Sequence, residues 1–158
     1  MASSAELKGR LETVEEIKSP ADKFWVACKE ISTLMPIIYP NVFKSIEDIV
    51  GDGKSPGSTR FIQYVEGHPI GNATERIDSI DDENMTATYS VIGGDFIGGF
   101  YTKFSPTVKI IPKENGCLAK WAVDYEKANE DVADPHVVIE FIIGVLHTLD
   151  DYVLKNNN

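Results

Sequence analysis

The sequence predicts an α+β domain in which helices cover one side of an antiparallel sheet. Three observations predict it. The stretch from Phe43 to Lys127 reads as short strands joined by tight turns. A strand and two short helices precede that stretch. One long, unusually apolar helix follows it. Strands and helices that come in separate runs, instead of alternating, point away from a parallel α/β sheet.

The first strand is expected over Leu7 to Ile17, with Leu7, Leu11 and Ile17 on one side and a bulge where Val14 breaks the alternation. Ser19-Pro20-Ala21-Asp22 resembles a capping box with proline at the first helical position. Ala21, Phe24, Trp25 and Cys28 then share one face of a helix from Pro20 to about Glu30. A second short helix, about Thr33 to Tyr39, is limited by Pro36 and Pro40. Six strands follow, at Phe43 to Val50, Thr59 to Glu66, Ile70 to Ile80, Met85 to Ile92, Phe100 to Ile111 and Leu118 to Lys127. Their turns lie at Gly51 to Gly57, Gly67-His68-Pro69, Asp81 to Asn84 and Gly93 to Gly99. Asn115-Gly116 is a strong hairpin signal, because both residues tolerate positive φ.

The last helix runs from Asp134 to Lys155, with Asp134 suited to the N-cap and Pro135 to the first turn. Val138, Phe141, Ile142, Val145, Leu149, Tyr152 and Val153 recur at helical spacing. Val137, Ile139, Ile143 and Leu146 widen that stripe beyond the width of an ordinary surface helix. At 1.5 Å per residue this rod is roughly 30 Å long. Lying across a curved sheet it cannot touch every strand, and the geometry leaves room for a cavity.

Alternation indicates which side chains share a face. Phe100, Phe104, Val108 and Ile110 oppose Lys103, Ser105, Thr107 and Lys109. Ile62 and Tyr64 align with Arg60, and Ala87 aligns with Tyr89 and Val91. The strand at Ile70 to Ile80 has no clean apolar face. It is either a polar-lined patch inside the sheet or an exposed edge strand.

At 158 residues the chain is long enough for one domain that buries roughly 70% of its unfolded surface. No basic and apolar leader is evident at the N-terminus, and no apolar run is long enough to span a membrane. The two cysteines, Cys28 and Cys117, are expected to be reduced and buried, and the protein to be cytoplasmic. A formal charge of −10 argues against nucleic acid as a partner. His68, His136 and His147 lack metal-ligand spacing; His136 is expected in solvent, and His147 on a polar helix side with Glu140, Asp150 and Asp151. No metal and no cofactor is implied. A monomer is expected, with a dimer as the alternative.

Several local motifs carry a family likeness: Lys18-Ser19-Pro20-Ala21-Asp22-Lys23-Phe24-Trp25, Gly51-Asp52-Gly53, Pro56-Gly57-Ser58, Gly93-Gly94-Asp95 and Ile111-Pro112-Lys113. Further along are Trp121, Tyr125-Glu126-Lys127, Asn129-Glu130-Asp131 and Asp134-Pro135-His136. From about Leu7 to Lys155 the chain resembles the major latex protein-like family, within the birch-pollen-allergen (Bet v I) and class-ten pathogenesis-related superfamily of plants. The resemblance implies a helix-grip (START-like) fold: a curved seven-stranded antiparallel sheet, two short helices and a long C-terminal helix around a hydrophobic cavity. It also implies binding of small hydrophobic or amphipathic ligands (hormones, sterols, phenylpropanoids, fatty acyl compounds) and a place in defence or stress responses.

Periodicity together with the resemblance nominates Cys28, Met35, Phe43, Ile62, Tyr64, Tyr89, Phe104, Val138, Phe141 and Val145 as cavity lining. Arg60 and Arg76 are the candidate polar groups that orient a ligand. Singly, each of these is also an ordinary core or surface residue. Together, two interior tyrosines require hydroxyl partners, which a ligand or water supplies. The Gly51–Gly57 loop lacks the P-loop spacing and leads into a strand, so it reads as a rigid turn. Burying about 300 Å² of ligand at ~25 cal/mol per Å² gives on the order of 7 kcal/mol before ordering costs, hence micromolar affinity or weaker.

Three functions compete. The first is a non-enzymatic carrier of small apolar molecules. The second, which the resemblance implies, is an enzyme, either of specialised metabolism or ribonuclease-like. For the former, Lys120 and Asp124 share one face of their strand and Trp121 and Tyr125 the other, with the inward face undetermined. The third is an interaction protein with a filled core.

Overall fold

The computed structural model describes residues 4–156. A helical turn, α1 (Ser4–Leu7), leads into β1 (Lys8–Ile17), followed by α2 (Ala21–Lys29) and α3 (Ile31–Ile38). Then come β2 (Phe43–Val50), β3 (Thr59–Tyr64), β4 (Asn72–Asp81), β5 (Thr86–Gly93), β6 (Tyr101–Pro112), β7 (Cys117–Lys127) and α4 (His136–Asn156). The strands form one sheet in the order β1-β7-β6-β5-β4-β3-β2, every adjacent pair antiparallel. One face of the sheet carries the core, which α2, α3 and α4 cover.

Curvature comes from extra residues in the ladders. The registers place one unmatched residue at Lys44 and Ile49 of β2, Asp78 of β4, Ile92 of β5 and Thr102 of β6. Each such bulge bends its strand and sharpens the local twist. The expected bulge at Val14 is absent: β1 and β7 pair without interruption from Lys8↔Glu126 to Ile17↔Cys117. Val14 points to solvent, at 49% exposure, on the side opposite Ile17. The bulge at Thr102 also corrects the expectation for Phe100. It reverses the alternation, so Tyr101 packs against the core while Phe100 lies ahead of β6 and is exposed.

Four helix expectations change. Pro20 occupies the N-cap of α2 without any side-chain cap bond, and the Ser19 hydroxyl donates to Asp150 instead. Asp134 does not cap α4; its carboxylate accepts from the Tyr125 hydroxyl at 2.9 Å and lies 3.2 Å from the Lys127 ammonium. Pro36 sits inside α3, which begins at Ile31, two residues earlier than expected. Asp150 is buried and not on a polar face, because Lys18 N–H (2.9 Å) and Ser19 N–H (3.0 Å) both donate to it. His147 does reach outward, to Glu15 at 2.9 Å, and His136 is exposed.

Candidate functional site

Pleating brings a defined set of side chains onto the inner face. Arg60, Ile62 and Tyr64 alternate inward from β3, Ala73 and Glu75 from β4, Tyr89 and Val91 from β5. Phe104, Pro106 and Val108 do so from β6 and Trp121 from β7. Val138, Phe141, Ile142, Val145, Leu146 and Leu149 of α4 face them, with Cys28, Ile31, Met35, Phe43 and Ile46 closing the side. Together they line a cavity of about 140 Å³. The sheet helps to make room. β5 and β6 pair only over Thr86, Ala87 and Thr88, and Pro106, which has no N–H for a ladder, lies one residue past the last pair.

Eleven of the twelve candidate residues lie in this wall: Cys28, Met35, Phe43, Arg60, Ile62, Tyr64, Tyr89, Phe104, Val138, Phe141 and Val145. Arg76 does not. It is out of phase with Glu75 and Ile77, nearly half exposed, and its Nε bonds Asp78 at 2.7 Å. The polar residue that the sequence reading missed is Glu75. β4 is an interior strand, and the face that looked ambiguous is apolar at Ala73 and Ile77 with Glu75 between them.

Arg60 and Glu75 are direct cross-strand partners. Arg60, only 3% exposed, donates from Nε to Glu75 Oε1 at 3.0 Å and from Nη2 to the same oxygen. Its Nη1 reaches Ser32 Oγ at 3.3 Å, and the guanidinium lies 5.3 Å from the centre of the Tyr89 ring. Burial is the largest single influence and works against the guanidinium charge, but Glu75, Tyr89 and Tyr64 together outweigh it and hold the pKa above its ordinary value. Burial pushes the Tyr89 hydroxyl up to about 12, with Arg60 opposing, and it pushes Tyr64 upward as well, with Glu75 adding to the effect. Burial also raises the Cys28 thiol, which removes it as a nucleophile.

An outer groove of about 740 Å³ lies beyond one end of the cavity, bordered by Pro69, Asp95, Phe100, Asp131, Pro135 and Val137 among others. Ile70 and Phe96 border both spaces. Aromatic rings partition them. His68 stacks on Tyr64 at 4.7 Å and meets Phe141 edge-on at 5.2 Å, while Phe96 meets Phe104 edge-on at 5.0 Å. Desolvation among these rings lowers the His68 pKa.

Two other candidates resolve away from the cavity. On β7, Trp121 and Tyr125 are buried, whereas Lys120 lies 3.5 Å from Glu12 and Asp124 3.0 Å from Arg10, both on the opposite face. In the Gly51–Gly57 loop, Asp52 accepts from the Lys54 and Ser55 N–H groups and from the Ser55 hydroxyl. Those bonds hold its pKa down at about 2, so the amides that a phosphate would need are taken by the loop's own carboxylate.

Comparison with known proteins agrees with this architecture. An MLP-like protein of Arabidopsis thaliana, MLP-like protein 423, is 41% identical over 153 residues, covering 96% of this chain and 98% of the relative. The crystal structure of ginseng major latex-like protein 151 from Panax ginseng superposes with a TM-score of 0.84 at 27% identity, over 94% of this chain and 99% of that one. Norcoclaurine synthase from Thalictrum flavum shares the fold at a TM-score of 0.82 and 19% identity, over 94% of this chain and 87% of its own. The profile of the pathogenesis-related protein Bet v 1 family matches residues 6–156, and with a seven-stranded sheet closed by a long C-terminal helix the chain belongs to that family.

Proposed function

We propose that this protein binds small apolar or amphipathic molecules and carries them without chemical change. The observation that supports it best is the apolar cavity, which shares Ile70 and Phe96 with an adjoining groove. At about 140 Å³ it is close to the ~150 Å³ at which a dry apolar cavity takes up benzene. A single-ring guest fits as the side chains stand. A four-ring sterol exceeds this volume and requires the partition to move, joining cavity and groove. Among the described residues the cavity wall holds no lysine, and its one carboxylate, Glu75, is held by Arg60, which favours binding over amine-dependent turnover. Buried free thiols at Cys28 and Cys117 support a reducing, cytoplasmic setting, and family membership supports a role in plant defence or stress.

The test is titration with an uncharged, environment-sensitive aromatic dye. The wild-type protein takes it up saturably, and Phe141→Arg, which places a charge in the partition, weakens uptake at least about tenfold. Absence of saturable uptake by the wild-type protein overturns the proposal.

A further inference from the structure

We infer that the cavity selects uncharged, hydroxyl-bearing guests over carboxylates and amines of the same skeleton, and that the Arg60–Glu75 pair is the selecting element. This rests on the ligand-binding reading above and names its ligand class.

Arg60 and Glu75 are the only formally charged residues of the described wall, and they cancel. Their bonds do not form the usual two-oxygen fork. Nε and Nη2 both end on Oε1, and Nη1 goes to Ser32, so Oε2 of Glu75 takes none of the bonds from Arg60. A guanidinium carries five N–H donors, and these three bonds leave donor capacity on Nη1 and Nη2. The pair therefore presents an acceptor and a donor side by side in a largely apolar wall, with the Tyr64 and Tyr89 hydroxyls as its uncharged polar neighbours. A hydroxyl group is both donor and acceptor and satisfies the two together.

Ions fare worse. A carboxylate guest would place a second negative charge beside Glu75 in a low-dielectric space, or would have to displace Glu75 and leave it unpaired. An ammonium guest meets the same difficulty from Arg60. Stability alone does not account for the pair, because replacing a buried ion pair with apolar residues of similar volume is often neutral or stabilising. Cavity size limits the skeleton to about one aromatic ring.

The experiment uses three matched probes: 3-phenylpropanol, 3-phenylpropanoate and 3-phenylpropylammonium. Each is titrated near neutral pH into the isotope-labelled full chain, and saturable amide shifts give the affinity. The alcohol is expected to bind at least about tenfold more tightly than either ion. Glu75→Gln leaves Arg60 uncompensated and is expected to reverse the order, with the carboxylate ahead of the alcohol. An Arg60→Met, Glu75→Leu double variant is expected to lose the hydroxyl preference. Circular dichroism confirms that each variant folds; the wild-type series tests the selectivity, and the variants test the pair as its source. Equal binding of all three probes, or a preference for either ion, overturns the inference, as does an unchanged order in folded Glu75→Gln. If the uncharged dye saturates and the alcohol shows no advantage, selectivity alone fails. If the dye does not bind either, the ligand-binding reading fails with it.

Discussion

Asp150 ties three parts of the molecule with one carboxylate. It projects from α4, is 4% exposed, and accepts the Lys18 and Ser19 amides and the Ser19 hydroxyl where β1 turns into α2. Asp150→Ala strands these donors in the interior. At roughly 1–3 kcal/mol per buried group left unpaired, the loss is expected to be about 3 kcal/mol, read as a lower urea midpoint with an unchanged slope. Asp150→Asn keeps one acceptor and is expected to lose less. Helical periodicity could not show this role. It sorts residues by face within one helix and is blind to backbone amides that a segment over 130 positions away delivers to that face. Glu75 escaped for a related reason. A charge between Ala73 and Ile77 breaks the apolar alternation, and only the register with Arg60 shows that the charge is paired and faces inward. Arg76 was its decoy, one position out of phase and bonded to Asp78.

Strand and helix order were legible because most elements carry both a period and a stop signal. β6 and β7 illustrate it. Their hairpin turns at Gly116, at φ +87°, as Asn115-Gly116 foretold. A Cβ there would also strike the Ile17 carbonyl, so Gly116→Ala adds left-handed strain and a backbone clash at once. The expected loss is about 2 kcal/mol. In a chain of this size that is a fall of roughly 5 °C in Tm by scanning calorimetry. Bulges were not legible. An extra residue leaves an apolar side chain exposed at Ile49 and Ile92, which reads in sequence like ordinary alternation gone wrong. Val14, exposed in the same way, has an uninterrupted ladder. The cavity therefore followed in outline from one over-wide apolar helix, while its exact wall depended on shifts in register that only the paired strands define.

The whole molecule responds to pH through two sets of groups. Glu15 is held below its ordinary 4.5 by the Thr13 hydroxyl and then His147, and Asp134 below 3.8 by the Tyr125 hydroxyl and then Lys127. Asp82 is lowered by Lys29 and Trp25, Asp81 by Asn84, and Asp52, which is fully exposed, to about 2 by its own loop. A carboxyl lowered in the fold binds protons first in the unfolded chain, so the stability it adds is present above the ordinary value and lost as pH falls through the folded one. Burial acts oppositely on the tyrosines: Tyr89 and Tyr125 rise to about 12, and Tyr64 and Tyr101 also rise above the ordinary 10.0. The folded state then keeps phenol protons that the unfolded chain releases, so this stability is present below pH 10 and is lost as pH rises toward about 12. Calorimetry across pH should thus show Tm falling below about pH 4.5 and again above about pH 10. Phenolate absorbance separates cavity wall from surface on the alkaline side. In the native protein the signal from Tyr64 and Tyr89 should lag behind that of free tyrosine, and Tyr89→Phe should remove part of the lag. A native titration that tracks free tyrosine throughout would mean that water reaches the cavity wall readily, and the apolar shielding on which ligand binding depends would be lost with it.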